Sequence, residues 1–127
     1  MILLDTAAFI WIVTGSERLS KRAREIYLNT KFKVYLSSVS VLEMIAKYKL
    51  GRLPLPSHPS KYIQNQRRIH GIKVLALKEK DVAELESLPN IHDDPFDRML
   101  VCQARARNFT ILTPDKLIKS YPVKVEW

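Results

Sequence analysis

The chain opens with Ile2-Leu3-Leu4-Asp5. Three successive apolar residues without polar alternation read as a strand buried on both faces, as in a parallel sheet. Residues 7–13 then read as a short helix. Residues 20–29 form another, with Ser20 as N-cap and Ala23, Ile26 and Tyr27 on one face. A second strand is expected over 33–37 and a helix over 40–50, stopped by Gly51. Pro54, Pro56 and Pro59 mark 53–59 as a loop. Residues 60–70 read as a helix closed by Gly71, 72–77 as a third strand, and 79–88 as a helix ended by Pro89-Asn90. A long helix is expected over 95–108, with Asp94 as N-cap and Pro95 at its first position. A fourth strand over 109–113, a short helix over 115–120 and a fifth strand over 123–125 complete the chain. Strands alternating with helices predict an α/β fold of three layers, α/β/α, around a central, mostly parallel five-stranded sheet. Sites in such folds gather beyond the carboxyl ends of the strands, where the strand order switches.

Several acids fall at that edge. Asp5 ends the first strand, and Asp115 lies just past the fourth. Glu43 is expected in the first turn of the helix after the second strand, and Asp97 in the first turn of the Pro95 helix. Asp5, Glu43, Asp97 and Asp115 therefore converge in this scheme despite wide separation in sequence. Four clustered carboxylates raise one another's pKa values, and a divalent cation removes the conflict. An all-oxygen set suits Mg²⁺, with Mn²⁺ as the second choice. A metal-loaded site in a basic chain suits phosphodiester hydrolysis. Each acid also has a plain reading. Ser40-x-x-Glu43 is a capping box, Asp94 and Asp97 suit a helix N-terminus, and Asp115 suits a turn. Asp5 is the acid that capping explains least.

Composition bounds the chemistry. With 127 residues, 46% apolar and 27% charged, the chain reads as one globular domain over 1–127. The net charge of +8 favours a polyanionic partner. Residues 79–97 hold seven acids and one base, net −6, which leaves +14 on the rest. The single cysteine, Cys102, excludes a disulfide scaffold or a Cys-rich zinc module. The three glycines form no Gly-x-Gly phosphate loop. The apolar start is interrupted by Asp5, falls short of the ~20 residues a bilayer needs, and lacks the flanks of a signal peptide. A soluble cytoplasmic protein with no membrane partner is the expectation.

The acidic blocks carry a family resemblance. Leu3-Leu4-Asp5-Thr6, with Ala8-Phe9-Ile10-Trp11, resembles the opening of PIN-domain proteins. Val39-Ser40-Val41-Leu42-Glu43-Met44 is similar to their second acidic block, the run from His92 to Ala104 to the third, and Thr113-Pro114-Asp115 to the fourth. The likeness spans essentially the whole chain and is nearest to the VapC-like branch, toxins of type II toxin–antitoxin pairs. The resemblance implies a PIN-like fold and a Mg²⁺-dependent endoribonuclease acting on RNA. It implies Asp5, Glu43 and Asp97 as core acids and Asp115 as a fourth, all at the metal. Thr6 would orient Asp5, and Asp94, Arg98 and Thr113 would support the site. Ala7 and Asp93 depart from the branch, which often has His and Arg there. The family also implies a neutralising antitoxin, with Trp11, Tyr48 and Leu50 as candidate contacts, and a homodimer.

Other residues admit two readings. Arg67 and Arg68, with Lys61 and Lys73, could track an RNA backbone or form a solvated face. Trp11 suits core packing as well as a partner surface. Arg98 suits a phosphate or, better, a neighbouring carboxylate. His58, His70 and His92 show no zinc spacing; His92, nearest the acids, is expected to fix its loop. Two rivals stand beside the ribonuclease: a non-catalytic RNA-binding or regulatory PIN module, and a structure-specific DNA nuclease. An aspartyl-nucleophile phosphatase needs a second Asp where Ala7 stands.

Overall fold

A computed structural model describes residues 1–127. Five short strands, β1 (Ile2–Leu4), β2 (Val34–Ser37), β3 (Lys73–Leu75), β4 (Thr110–Leu112) and β5 (Lys124–Glu126), form one sheet in the order β3-β2-β1-β4-β5. Every pairing is parallel. The sheet is thus wholly parallel. The chain steps outward from β1 through β2 to β3, then crosses back to β4, so the switch point lies between β1 and β4.

Alternation within β1 divides the core into two. Ile2 and Leu4 enter one cluster with Phe9, Ile26, Met44 and Ile63. Leu3 enters the other with Leu100, Val101, Ala104 and Ile118. All three β1 side chains are at most 3% exposed. The continuous apolar run therefore reports burial on both faces, and the three-layer α/β/α architecture follows. The helices are α1 (Thr6–Val13), α2 (Lys21–Leu28), α3 (Ser38–Lys49), α4 (Pro59–Ile69), α5 (Glu79–Ala83), α6 (Pro95–Arg107) and α7 (Lys116–Lys119).

Two elements differ from expectation. Helix α3 starts at Ser38, with Ser37 as N-cap accepting a hydrogen bond from the Val39 amide at 3.0 Å. Glu43 consequently lies in the second turn, and Ser40 is a fully buried interior residue whose hydroxyl has no partner. The Ser40–Glu43 capping box does not form, because the earlier serine takes the cap. The helix over 79–88 is interrupted: α5 gives way to a 3-10 turn, Glu84–Ser87. Arg107 anchors this region. Its guanidinium reaches the fully buried Asp81 at 2.8 Å and the Ala76 carbonyl at 3.1 Å.

Candidate metal centre

Parallel register brings the strand ends to one level. Leu4 pairs with Leu36 on one side and Leu112 on the other. Asp5 and Thr113 therefore emerge side by side across the switch point, and the Thr113 hydroxyl donates to Asp5 Oδ2. Asp5 is also the N-cap of α1, its Oδ1 accepting from the Ala8 amide at 2.7 Å. Capping and a place at the site are thus compatible, since the two carboxylate oxygens divide the work.

Helices α3 and α6 run antiparallel to the strands, so their N-termini lie at this same edge. A cavity of about 410 Å³ opens there, lined by Asp5, Glu43, Asp94, Asp97 and Asp115, together with Thr6, Lys47 and Arg52. The four predicted acids are brought together. The Glu43 carboxylate, 4% exposed, accepts from the Thr6 hydroxyl at 2.6 Å and meets the Lys47 ammonium at 2.5 Å. Thr6 therefore holds Glu43, while Thr113 holds Asp5; the expectation that Thr6 orients Asp5 is corrected. The reason is direction: α1 turns the Thr6 side chain toward α3, and β4 delivers Thr113 to Asp5.

Asp94 caps α6, its Oδ1 accepting from the Phe96 amide at 2.8 Å and the Asp97 amide at 3.1 Å. Asp115 caps α7 through the Leu117 amide at 2.8 Å. His92 joins the acids. Its Nε2 lies 3.0 Å from Asp115 Oδ2 and 3.1 Å from Asp97 Oδ2, while Nδ1 accepts from the Asp94 amide at 3.1 Å. That amide fixes the neutral tautomer with the proton on Nε2, aimed at the two carboxylates. Arg98 pairs with no carboxylate, contrary to expectation. Its guanidinium donates to the Pro89 carbonyl at 3.1 Å and the Tyr121 hydroxyl at 3.3 Å, and so fixes the loop that carries His92.

The electrostatics follow from burial first and neighbouring charge second. Burial, reinforced by Asp94 and Glu43, pushes Asp97 up to about 7. Burial pushes Asp5 up to about 6, although hydrogen bonds from Thr113 and Ala8 oppose it. Burial works against protonation of His92, but its bond to Asp115 and the nearby acids outweigh that and raise its pKa. For Lys47, the hydrogen bond to Glu43 is the main cause of a raised pKa. Five carboxylates at one cavity, two of them resisting ionisation, form a set that a divalent cation fits. The His92 ring nitrogen and one carboxylate oxygen each of Asp97 and Asp115 lie within 4.8 Å of one another. The oxygen donors suit Mg²⁺ or Mn²⁺.

Sequence reasoning undervalued His92 and missed Lys47 and Arg52. Lys47 was accessible from its i,i+4 spacing to Glu43. His92 was accessible only as a residue two before an N-cap. The other candidates stand apart from the cavity. Arg67 and Arg68 lie near the end of α4. Trp11 is half-buried against the core and Trp127, 5.7 Å between ring centroids, with Arg18 over its ring. Tyr48 is half-buried, and Leu50 is exposed.

Comparison with known proteins agrees with this architecture. The PIN domain family model matches residues 2–124. A search of curated proteins finds no match. Among solved structures, a chain of VapBC2 from Rickettsia felis, bound to a promoter DNA fragment, is 19% identical with a TM-score of 0.65, covering 99% of this chain and 98% of that one. A chain of DNA-bound VapBC from Salmonella typhimurium is 20% identical with a TM-score of 0.67, covering 98% and 96%. A chain of FitAcB from Neisseria gonorrhoeae is 22% identical with a TM-score of 0.63, covering 98% and 96%. No helix is long and apolar enough to cross a membrane. With its match to the family model over residues 2–124, the chain belongs to the PIN domain family.

Proposed function

We propose that this protein is a metal-dependent endoribonuclease, the VapC-like toxin of a type II toxin–antitoxin pair, acting in the cytoplasm as a single-domain subunit of a homodimer. The observation that carries the reading is the joint burial of Asp5 and Glu43 beside Asp97 and Asp115 at one cavity of the sheet edge. In this reading Asp5, Glu43, Asp97 and Asp115 hold Mg²⁺, or Mn²⁺, and are the catalytic acids. Such a cation, when bound, neutralises the acids, polarises a phosphate oxygen and acidifies an attacking water. The protein's own groups keep the acids in place. Thr113 fixes Asp5, Thr6 fixes Glu43, Asp94 caps the helix that presents Asp97, and Arg98 steadies the His92 loop. His92 holds a proton between Asp97 and Asp115.

Solved complexes bearing the VapBC name and a toxin–antitoxin complex from Klebsiella pneumoniae share the fold, which supports an antitoxin partner here. Trp11, Tyr48 and Leu50 remain the residues proposed to meet it, with Leu50, 68% exposed, the most available. Arg67 and Arg68 are proposed to follow RNA away from the cavity. Incubating the purified protein with single-stranded RNA and with matched flap DNA, with and without Mg²⁺ or Mn²⁺, tests the reading. Metal-stimulated RNA cleavage, abolished in folded Asp5→Asn and Asp97→Asn variants, is expected. Binding of RNA without cleavage under every metal condition would favour the non-catalytic module.

A further inference from the structure

The cavity has a basic wall as well as an acidic floor. Its two cations come from one turn of backbone. Helix α3 ends in a Schellman motif, in which the Gly51 amide donates to the Tyr48 carbonyl at 3.0 Å and the Arg52 amide to the Lys47 carbonyl at 2.9 Å. Gly51 sits at φ 71°, the left-handed conformation the motif requires. That bond ties the root of Arg52 to the root of Lys47. Leu53, the next residue, packs on the core and fixes the chain beyond. Lys47 is already committed to Glu43. Arg52 is the only arginine lining the cavity, and its guanidinium has no carboxylate within ion-pair distance. By contrast, Arg22, Arg105 and Arg107 each pair with an acid.

An arginine held at the mouth of a carboxylate-rich cavity yet paired with none of its acids is available to an incoming anion. Its planar fork matches two oxygens of a phosphate. We propose that Arg52 binds a backbone phosphate of the nucleic-acid strand that enters the cavity. This rests on the nuclease reading above. The Schellman turn sets the distance between Arg52 and Glu43, because it ties the Arg52 backbone to the end of the helix that carries that acid. The grip acts on binding and positioning of the strand and leaves the acids untouched.

The test is equilibrium binding of a labelled single-stranded RNA 12-mer across a range of KCl concentrations, with Ca²⁺ at fixed concentration in place of Mg²⁺ to limit turnover. Arg52→Gln is expected to weaken binding about tenfold and to lower the slope of log K against log salt by about 0.7, one phosphate contact on a single strand. Arg52→Lys should recover the slope and only part of the affinity, since an ammonium lacks the fork. Mg²⁺ affinity of Arg52→Gln, measured by calorimetry, should be no lower than that of the unaltered protein, because the substitution removes a cation and no metal ligand. Lys124→Gln, at the opposite edge of the sheet, is the charge control. A DNA 12-mer of the same sequence should show the same loss; a loss confined to RNA would assign Arg52 to the sugar and overturn the phosphate contact. If the unaltered protein binds and cleaves RNA but Arg52→Gln keeps the slope of Lys124→Gln, this inference fails alone. If the unaltered protein neither binds nor cleaves RNA, the nuclease reading fails and takes the inference with it.

Discussion

Two threonines divide the buried acids between them. Thr113 serves Asp5 and also accepts the Asp115 amide at 3.0 Å, while Thr6 serves Glu43. Thr113→Val is nearly isosteric and removes the donor, leaving a buried carboxylate oxygen unsatisfied. It should destabilise the protein by about 1–3 kcal/mol in urea unfolding. Thr6→Val should act through Glu43 instead. Combining each with Asp5→Asn should separate them: the Thr113 effect should shrink in that background and the Thr6 effect should persist. Equal persistence of both would contradict the assignment of partners. Neither threonine's partner is readable from sequence, because partner choice depends on the direction in which α1 and β4 leave the sheet.

Helix ends and helix clamps are the next level. Asp94 both caps α6 and repels Asp97, and the two effects can be separated by substitution. Asp94→Asn keeps a capping oxygen and removes the charge, so the metal-free protein should match or exceed the original in stability at pH 7. Asp94→Ala loses the cap and should cost about 1 kcal/mol. A denaturant midpoint for each variant decides it, and an Asn variant as weak as the Ala variant would refute the capping role. At the other end of α6, Arg107 neutralises the buried Asp81. Burial opposes the charge of Asp81, but the guanidinium and the Lys78 amide outweigh it and hold its carboxyl below the ordinary range. Arg107→Met should therefore cost about 3 kcal/mol, read as a lowered unfolding midpoint, with no loss of metal affinity. The pairing of α5 with α6 was hidden in sequence, since Asp81 and Arg107 are 26 residues apart.

Across the whole molecule, the crowded acids make stability depend on pH and metal together. Asp5 and Asp97 have folded pKa values of about 6 and about 7, above the ordinary 3.8. The folded state thus binds their protons more tightly than the unfolded chain does. Their contribution is fully present below pH ~4 and is lost as pH rises through 6 and 7. A divalent cation replaces those protons, so it should restore the loss. Thermal unfolding in EDTA and in Mg²⁺ at pH 5 and pH 8 tests this. A larger Mg²⁺-induced rise in Tm at pH 8 is expected, on the order of several degrees. An equal rise at both pH values would mean that burial and neighbouring charge do not hold Asp5 and Asp97 above the ordinary carboxylate range.

Sequence alone determined the layered parallel architecture, because strands buried on both faces must be apolar throughout, as Ile2-Leu3-Leu4 is. It also determined which acids meet, because strand ends and the starts of the following helices share one edge in any parallel sheet. It placed the caps at Ser20 and Asp94, where short-range hydrogen bonding governs. Which group holds each acid, why α3 begins at Ser38, and that His92, Lys47 and Arg52 line or brace the same cavity emerge in the folded chain. Those outcomes depend on contacts between segments far apart in the chain, and side-chain direction across such contacts is set by packing, which no local pattern encodes.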